Sequence, residues 1–116
     1  MAKLILMVDG VGGQHFDINN DTLRIGRAPD NDVHLDDLAV SSEHAIIERN
    51  QDEHFAEHIE YELRDLGSTN STFVNNIKTS AKKLCHNDMV KIGWSTFKFV
   101  DESQPSMDTT AYILPD

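Results

Sequence analysis

One polar stretch of the chain, residues 65–76, reads DLGSTNSTFVNN. Hydroxyl and amide side chains dominate it, and in a loop such groups either form turns or point toward a ligand. Three further stretches carry groups of the same kind, namely Gly26-Arg27, residues 31–37 (NDVHLDD) and residues 40–45 (VSSEHA). Together the four stretches offer one guanidinium, several hydroxyls, an amide and the backbone N–H groups of turns. A phosphate dianion matches such a set of donors, so the stretches predict a binding site rather than a catalytic one.

Short strands are expected to carry these polar stretches. Residues 59–63 (IEYEL) and 96–100 (TFKFV) alternate apolar and polar side chains with a period of two, which is typical of half-buried strands. Similar segments recur along the chain, separated by turn-forming residues. They are residues 3–8, 15–18, 22–26, 45–49, 59–66, 89–94 and 96–100. The pattern predicts an all-β sandwich, with the polar loops clustered at one end. Trp94 falls in a turn, and we expect it to pack within that hairpin.

The composition is that of a single globular domain. The chain has 116 residues, of which 39% are hydrophobic and 26% charged. One cysteine, Cys85, excludes an internal disulfide and suits a reducing compartment. The apolar run at residues 4–8 is too short for a signal peptide or a membrane span, so we expect a cytoplasmic protein. A net charge of −10 disfavours nucleic acids and anionic membranes as partners.

Three catalytic or metal-binding patterns are weaker than the phosphate-binding pattern. Ser41 and His44 with a nearby Asp would suit a hydrolase triad, but no glycine-flanked nucleophile elbow is present. Residues 54–58 (HFAEH) fit the spacing of a zinc peptidase, which requires a helix where the sequence predicts a connection between strands. The acidic residues 30–37 lack the spacing of a calcium-binding loop. We therefore predict no enzymatic activity, no metal and no cofactor.

The polar stretches follow the order seen in forkhead-associated (FHA) domains, which the sequence resembles over residues 3–101. Five pieces in order with ordinary spacing carry this resemblance, although each piece alone is weak. They are Gly26-Arg27; Asn31-Asp32-Val33-His34-Leu35; Val40-Ser41 with His44-Ala45; Asp65-Leu66-Gly67-Ser68-Thr69-Asn70; and Leu84, Asp88, Ile92-Gly93 and Phe97. The resemblance implies a phosphothreonine-binding β-sandwich of about eleven short strands. It places the domain at residues 1–101, followed by a linker and tail at residues 102–116.

The resemblance also implies a role for each site residue. Arg27 and Ser41 would contact the phosphate, and Ser42 would contact the phosphate or the peptide backbone. Thr69 would add a phosphate contact and wall a niche for the threonine methyl group, while Asn70 would bind the peptide main chain. The residues expected to support the site are Gly26, His44, Gly67 and Ser68, with His44 bracing the loops.

Two positions depart from the usual pattern of the family. Ser71 stands where glycine usually follows the Thr-Asn pair, and Asn75-Asn76 stands where Asn-Gly is usual. Asparagine tolerates left-handed backbone angles, so the second change is mild. Ser71 is less forgiving if its position needs a positive φ, and it then affects the orientation of Asn70. The alternative function is therefore a phospho-independent interaction module with a degenerate site.

The C-terminal tail offers a candidate phosphorylation site. Thr110 is followed three residues later by Ile113, and Thr109 by Tyr112, which is the spacing that FHA ligands commonly use. We hypothesise that one of these threonines, once phosphorylated, binds the site of its own or a second molecule. Residues 108–114 would alternatively pair with a sheet edge and cause self-association. The expected partner is otherwise a phosphothreonine-containing protein, such as a bacterial Ser/Thr kinase or its substrate.

Overall fold

The computed structural model describes residues 2–51 and 59–102, and within them it contains eleven strands and no helix. The strands are β1 (Ala2–Val8), β2 (Val11–Asp17), β3 (Thr22–Gly26), β4 (Val33–His34), β5 (Ala45–Gln51), β6 (Ile59–Asp65), β7 (Thr72–Val74), β8 (Ile77–Thr79), β9 (Ala81–Lys83), β10 (Met89–Ile92) and β11 (Ser95–Asp101). The expectations for HFAEH (54–58) and for Thr109 and Thr110 concern residues outside the described ranges.

The strands form two sheets that pack face to face. One sheet has six strands in the order β2-β1-β11-β10-β7-β8, and the other has five in the order β4-β3-β5-β6-β9. Neighbours are antiparallel except β3 and β4, which are parallel. The predicted all-β sandwich of about eleven strands is thereby confirmed. No helix in the described part of the chain is long and apolar enough to cross a membrane.

Alternation of side chains along the strands builds the core. On β11, Phe97 and Phe99 are fully buried, whereas Lys98 between them points to the opposite face. The Phe99 ring packs against Tyr61 of the other sheet, with centroids 5.5 Å apart. Such burial of large apolar side chains supplies most of the stability of a domain of this size.

Two hairpin turns are governed by residues in left-handed conformations. Asn75 and Asn76 have φ of 51° and 69°, so two asparagines support the tight turn predicted between β7 and β8. Asp9 and Gly10, with φ of 52° and 79°, form the tight turn between β1 and β2. A strand had been expected to begin at residue 15, but β2 already begins at Val11 because two turn residues are enough.

Four loops meet at one end of the sandwich because of the strand register. Ile25 near the end of β3 pairs with Ala45 at the start of β5, and Ala45 pairs with Asp65 at the end of β6. In the other sheet Ile92, at the end of β10, pairs with Thr72 at the start of β7. The β3–β4, β4–β5, β6–β7 and β10–β11 loops therefore share what we call the loop end, which carries the polar stretches.

Candidate phosphate-binding site

Arg27 directly follows β3 and is exposed at the loop end. Its backbone N–H donates to the carbonyl oxygen of Ser41 at 2.9 Å, and its Nε donates to that of Val40 at 3.0 Å. Its terminal nitrogens have no hydrogen-bond partner among residues 2–51 and 59–102. The side chain is thus held at its base, while the part that binds anions in a bidentate manner remains available.

The two loops that carry the predicted hydroxyls touch each other. The backbone N–H of Thr69 donates to Oγ of Ser41 at 3.1 Å, which leaves the Ser41 hydroxyl hydrogen to donate to a ligand. Nδ2 of Asn70 donates to the carbonyl oxygen of Ala39 at 2.9 Å, so its Oδ1 can still accept a hydrogen bond. Arg27, Ser41, Thr69 and Asn70 are therefore gathered on three linked loops, and exposed Ser42 lies beside them.

His44 is fully buried beneath these loops and bridges them. The backbone N–H of Ser41 donates to its Nδ1 at 3.1 Å, and its Nε2 lies 2.9 Å from the carbonyl oxygen of Ser71. Because Nδ1 accepts, the ring proton must sit on Nε2 and point at Ser71. Both nitrogens are engaged with backbone groups, so His44 cannot serve as a base toward the Ser41 hydroxyl, and the hydrolase arrangement does not form.

Gly26 and Asn31 fix the loop that carries Arg27. Nδ2 of Asn31 donates to the carbonyl oxygens of Ala28 at 2.9 Å and of Ser42 at 2.8 Å. A Cβ added at Gly26 would lie only 2.2 Å from the Ser42 oxygen. Glycine is therefore required because the β3 end and the β4–β5 loop approach each other so closely.

Asp65 organises the start of the β6–β7 loop. One carboxylate oxygen accepts the N–H groups of Gly67 and Ser68, each at 2.8 Å, and the other accepts the hydroxyls of Ser68 and of Thr72. Burial raises the pKa of Asp65, but these hydrogen bonds outweigh burial, and the net pKa is below its ordinary value. Ser68 is thus tied to Asp65, and Gly67 adopts a φ of 81° that suits glycine.

Ser71 has a φ of 69°, so the position does require a left-handed backbone. Glycine would adopt this conformation at no steric cost, whereas serine is strained there. Two hydrogen bonds hold the loop in this conformation despite the strain. His44 binds the carbonyl oxygen of Ser71, and the side chain of Asn70, the preceding residue, binds the carbonyl oxygen of Ala39. Ser71 therefore lowers the stability of the loop, but Asn70 keeps its position in it.

The sequence placed a turn at Trp94, between β10 and β11, but did not reveal how this turn contacts the other loops. Trp94 was expected to pack within its hairpin, but this is wrong, since 83% of its surface is exposed. The Asp37 carboxylate accepts the N–H groups of Trp94 at 2.9 Å and of Ala39 at 2.8 Å, which ties the turn to the loop bearing Ser41. The resulting groove of about 270 Å³ is lined by Ala39, Asn70, Phe73, Lys91, Gly93 and Trp94. No local pattern signals a contact between residues so distant in sequence.

No metal centre is present in the described ranges. No group of three or more His, Cys, Asp or Glu side chains could hold a metal ion there. The loop end instead presents hydrogen-bond donors on braced loops, which is an arrangement suited to gripping an anionic group.

A two-sheet sandwich whose loops present such donors defines a β-sandwich recognition module. The family model of the FHA domain matches residues 23–93, which is more than half of the chain. The chain therefore belongs to the FHA domain family, as the order of its polar stretches indicated.

Several known proteins are similar to this chain. An oxoglutarate dehydrogenase inhibitor from Corynebacterium jeikeium is 36% identical over 89% of this chain and 67% of that protein. The glycogen accumulation regulator GarA from Mycolicibacterium smegmatis is 35% identical over 92% of this chain and 62% of that protein. The chain thus spans only part of the length of these relatives. An FHA domain solved in a study of phosphothreonine-dependent FHA domain interactions has a TM-score of 0.70 at 28% identity, over 90% of this chain and 99% of that one.

Proposed function

We propose that the chain is a non-enzymatic module that binds phosphothreonine in partner proteins. The observation that supports this most is the guanidinium of Arg27, held through Nε with its terminal nitrogens unpartnered in the described residues, on the loop joined to Ser41. The Ser41, Ser42 and Thr69 hydroxyls complete the phosphate contacts, and Asn70 binds the main chain of the peptide. The threonine methyl group would add an apolar contact of about 1 kcal/mol that phosphoserine lacks.

The relatives suggest what such binding is for. They are named for inhibiting oxoglutarate dehydrogenase or for regulating glycogen accumulation, and neither name describes catalysis by the protein itself. This chain would likewise act as a regulatory subunit in the bacterial cytoplasm. Its partner would be a metabolic enzyme, a Ser/Thr kinase or a substrate of that kinase, recognised in its phosphorylated form.

Peptide binding to the parent chain and to Arg27→Ala tests the proposal. A degenerate phosphothreonine peptide library is titrated by fluorescence anisotropy, with phosphoserine and unphosphorylated libraries alongside. Loss of a charge-assisted contact of about 1.5–3 kcal/mol predicts a roughly 10- to 100-fold weaker affinity for Arg27→Ala. Arg24→Ala is the matched control, because Arg24 lies on β3 three residues before Arg27 and is likewise exposed, but is paired with Glu43.

The alternative, a phospho-independent interaction module, makes the opposite prediction. Affinity that persists in Arg27→Ala, or that does not require the phosphate, would assign the chain to that class. The strained backbone of Ser71 is the feature that would favour it.

The tail threonines provide a second candidate ligand for the same site. Strand β11 starts at the loop end and finishes at Asp101 on the opposite end, so the tail leaves far from Arg27. Thr110 is nine residues beyond Asp101, and nine extended residues span at most about 30 Å. To reach Arg27 the tail must run back along the length of β11, whose seven residues span about 23 Å. Docking between two molecules is therefore less restricted than docking within one.

Phosphorylation of the tail can be tested on the whole chain. The kinase-treated parent is compared with the Thr109→Ala, Thr110→Ala variant by solution scattering and by phosphopeptide affinity. We expect a larger particle and weaker peptide binding only for the phosphorylated parent. No change in either quantity after confirmed phosphorylation would exclude the tail as a ligand.

A further inference from the structure

The outer face of the six-stranded sheet carries most of the lysines of this acidic chain. Alternation with the buried residues of β1, β10 and β11 places Lys3, Lys91 and Lys98 on that face. Lys78 joins them because it pairs with Phe73, the outward residue of β7. Four of the six lysines therefore share one face, although the net charge of the chain is −10.

The strand register arranges these lysines as a diagonal stripe. Lys91 is opposite Phe73 on one side and Thr96 on the other, so Lys98 is its diagonal neighbour. Lys98 is in turn opposite Ile5, which makes Lys3 the next diagonal neighbour. Each diagonal step is about 7–8 Å, and adjacent strands are about 4.8 Å apart. The stripe thus crosses the sheet from its β8 edge to β1, and we call it the lysine stripe.

Few carboxylates neighbour the lysine stripe. None of its four ammonium groups forms an ion pair within residues 2–51 and 59–102, whereas Lys82 and Lys83 of the other sheet pair with Asp88 and Glu60. Among the described strand residues of this face the only carboxylate is Asp17, opposite Lys3 on the β2 edge. Lys78, Lys91 and Lys98 thus have no carboxylate opposite them in the sheet, and like charges held close together favour the binding of an anionic partner.

Apolar side chains lie between the lysines, and the stripe reaches the ligand site. The half-buried outward residues of the same face include Ile5, Met7, Phe73 and Met89. Phe73 and Lys91 also line the groove beside Trp94, and Asn70 is shared by that groove and the candidate phosphate site. Asn70 therefore connects the candidate phosphate site to the groove, and Phe73 and Lys91 connect the groove to the sheet face.

We infer that the lysine stripe is a docking surface for an acidic protein segment that flanks the phosphothreonine of the partner. The inference builds on the proposed phosphothreonine site and adds a second determinant of specificity. Phosphate recognition would come from the loop end, and the sheet face would select partners by acidic residues interspersed with apolar ones. Electrostatic complementarity of this kind acts mainly on specificity and on the rate of association.

The test uses one phosphothreonine peptide with three designed flanks. A six-residue Gly-based extension, placed on either side in separate peptides, contains three Glu, three Ser or three Lys at identical positions. On one side or the other we expect the Glu peptide to bind about fivefold more tightly than the Ser peptide at 50 mM salt, and the Lys peptide more weakly. The difference should largely vanish at 500 mM salt.

Lysine substitutions locate the effect on the chain. Lys91→Gln with Lys98→Gln should abolish the Glu preference while leaving affinity for the Ser peptide within twofold. Lys83→Gln, an exposed lysine on the other sheet, should retain the preference. Equal affinities for the three flanks on the parent chain, or an unchanged preference in the double variant, would overturn the inference.

A titration without phosphothreonine separates this inference from the proposed function. The unphosphorylated Glu peptide is added to the ¹⁵N-labelled chain, and amide shifts at Lys91 and Lys98 are expected to exceed those at Glu48 and Glu62 of the opposite face. Such shifts without any phosphopeptide affinity would refute the phosphothreonine site and keep the docking surface. The absence of such shifts would refute the docking surface. So would binding to phosphatidylglycerol vesicles that requires Lys91 and Lys98, if the peptides show no preference for Glu.

Discussion

Nε2 of His44 lies 2.9 Å from the carbonyl oxygen of Ser71, and this contact joins two loops that are 27 residues apart in sequence. The same ring accepts the backbone N–H of Ser41. One buried side chain therefore sets the spacing between the segments that carry the Ser41 hydroxyl and Thr69. The geometry of the candidate site depends on a group that a bound ligand would not touch.

Replacing His44 by alanine should destabilise the fold and weaken ligand binding together. The change leaves a cavity and two backbone groups without their partners, so we expect a loss of about 2–4 kcal/mol in the free energy of unfolding. Urea denaturation at pH 7 measures this loss. His34→Ala is the control, because His34 is exposed on β4. A change below about 0.5 kcal/mol for His44→Ala would show that the bridge is not needed.

Glycine at position 71 should stabilise the protein. Serine holds a φ of 69° there, and removing its Cβ relieves a left-handed strain of about 1 kcal/mol, partly offset by the greater freedom of glycine in the unfolded chain. We therefore expect Ser71→Gly to raise the midpoint of thermal unfolding by a few degrees. Ser80→Gly, in an exposed bend without positive φ, should lower it slightly. A lower midpoint for Ser71→Gly would mean that the serine side chain itself stabilises the loop.

The strands and the polar loops could be predicted from sequence because their signals are local. Period-two alternation marks β6 and β11, and paired asparagines mark the β7–β8 turn. The need for a left-handed residue at position 71 could also be anticipated, since glycine is usual there in the family. These features depend on neighbours only a few residues apart.

Contacts between distant segments could not be predicted in the same way. Asp37 and Trp94 are 57 residues apart, and nothing near either one shows that the carboxylate will accept the N–H of the turn. The Trp94 side chain is exposed, so the expectation of a packed tryptophan was wrong. The lysine stripe is similar, because Lys3, Lys91 and Lys98 become neighbours only through strand order and register.

The stability of the protein should fall in acid partly because of Asp65. Its folded-state pKa lies below the unfolded value of about 3.9, so its contribution is fully present above that pH. The contribution is lost as pH falls through the folded-state pKa. Asp65→Asn should therefore be less stable than the parent by about 1–3 kcal/mol at pH 7, since the amide nitrogen that replaces one carboxylate oxygen cannot accept the two hydrogen bonds donated to that oxygen.

Urea denaturation between pH 7 and pH 2.5 checks this dependence on Asp65. The difference between the parent and Asp65→Asn should narrow once the pH is below about 4. Asp30→Asn, an exposed carboxylate in the β3–β4 loop, should follow the parent within about 0.5 kcal/mol throughout. A difference that stays constant down to pH 2.5 would contradict the role of the Asp65 carboxylate.

Asp37 should control the rigidity of the groove rather than the phosphate contacts. The hydrogen bond from the Trp94 N–H, followed by that from Ala39, lowers the pKa of Asp37, so the carboxylate is ionised at neutral pH. Asp37→Ala removes both acceptors and frees the turn from the β4–β5 loop. We expect roughly tenfold faster amide hydrogen exchange at Trp94 and Ala39, because local opening becomes easier by about 1.4 kcal/mol. Asp36→Ala, one residue earlier and exposed, should leave both rates unchanged.

The phosphate contacts should depend little on Asp37, since Arg27 and Ser41 are held by other hydrogen bonds. The affinity of Asp37→Ala for a short phosphothreonine peptide should therefore fall by no more than about threefold, which is less than the loss of one typical neutral hydrogen bond would cause. Unchanged exchange at Trp94 in Asp37→Ala would show that the turn is held by its own hairpin, and the groove would then have to be regarded as independent of the loop that carries Ser41.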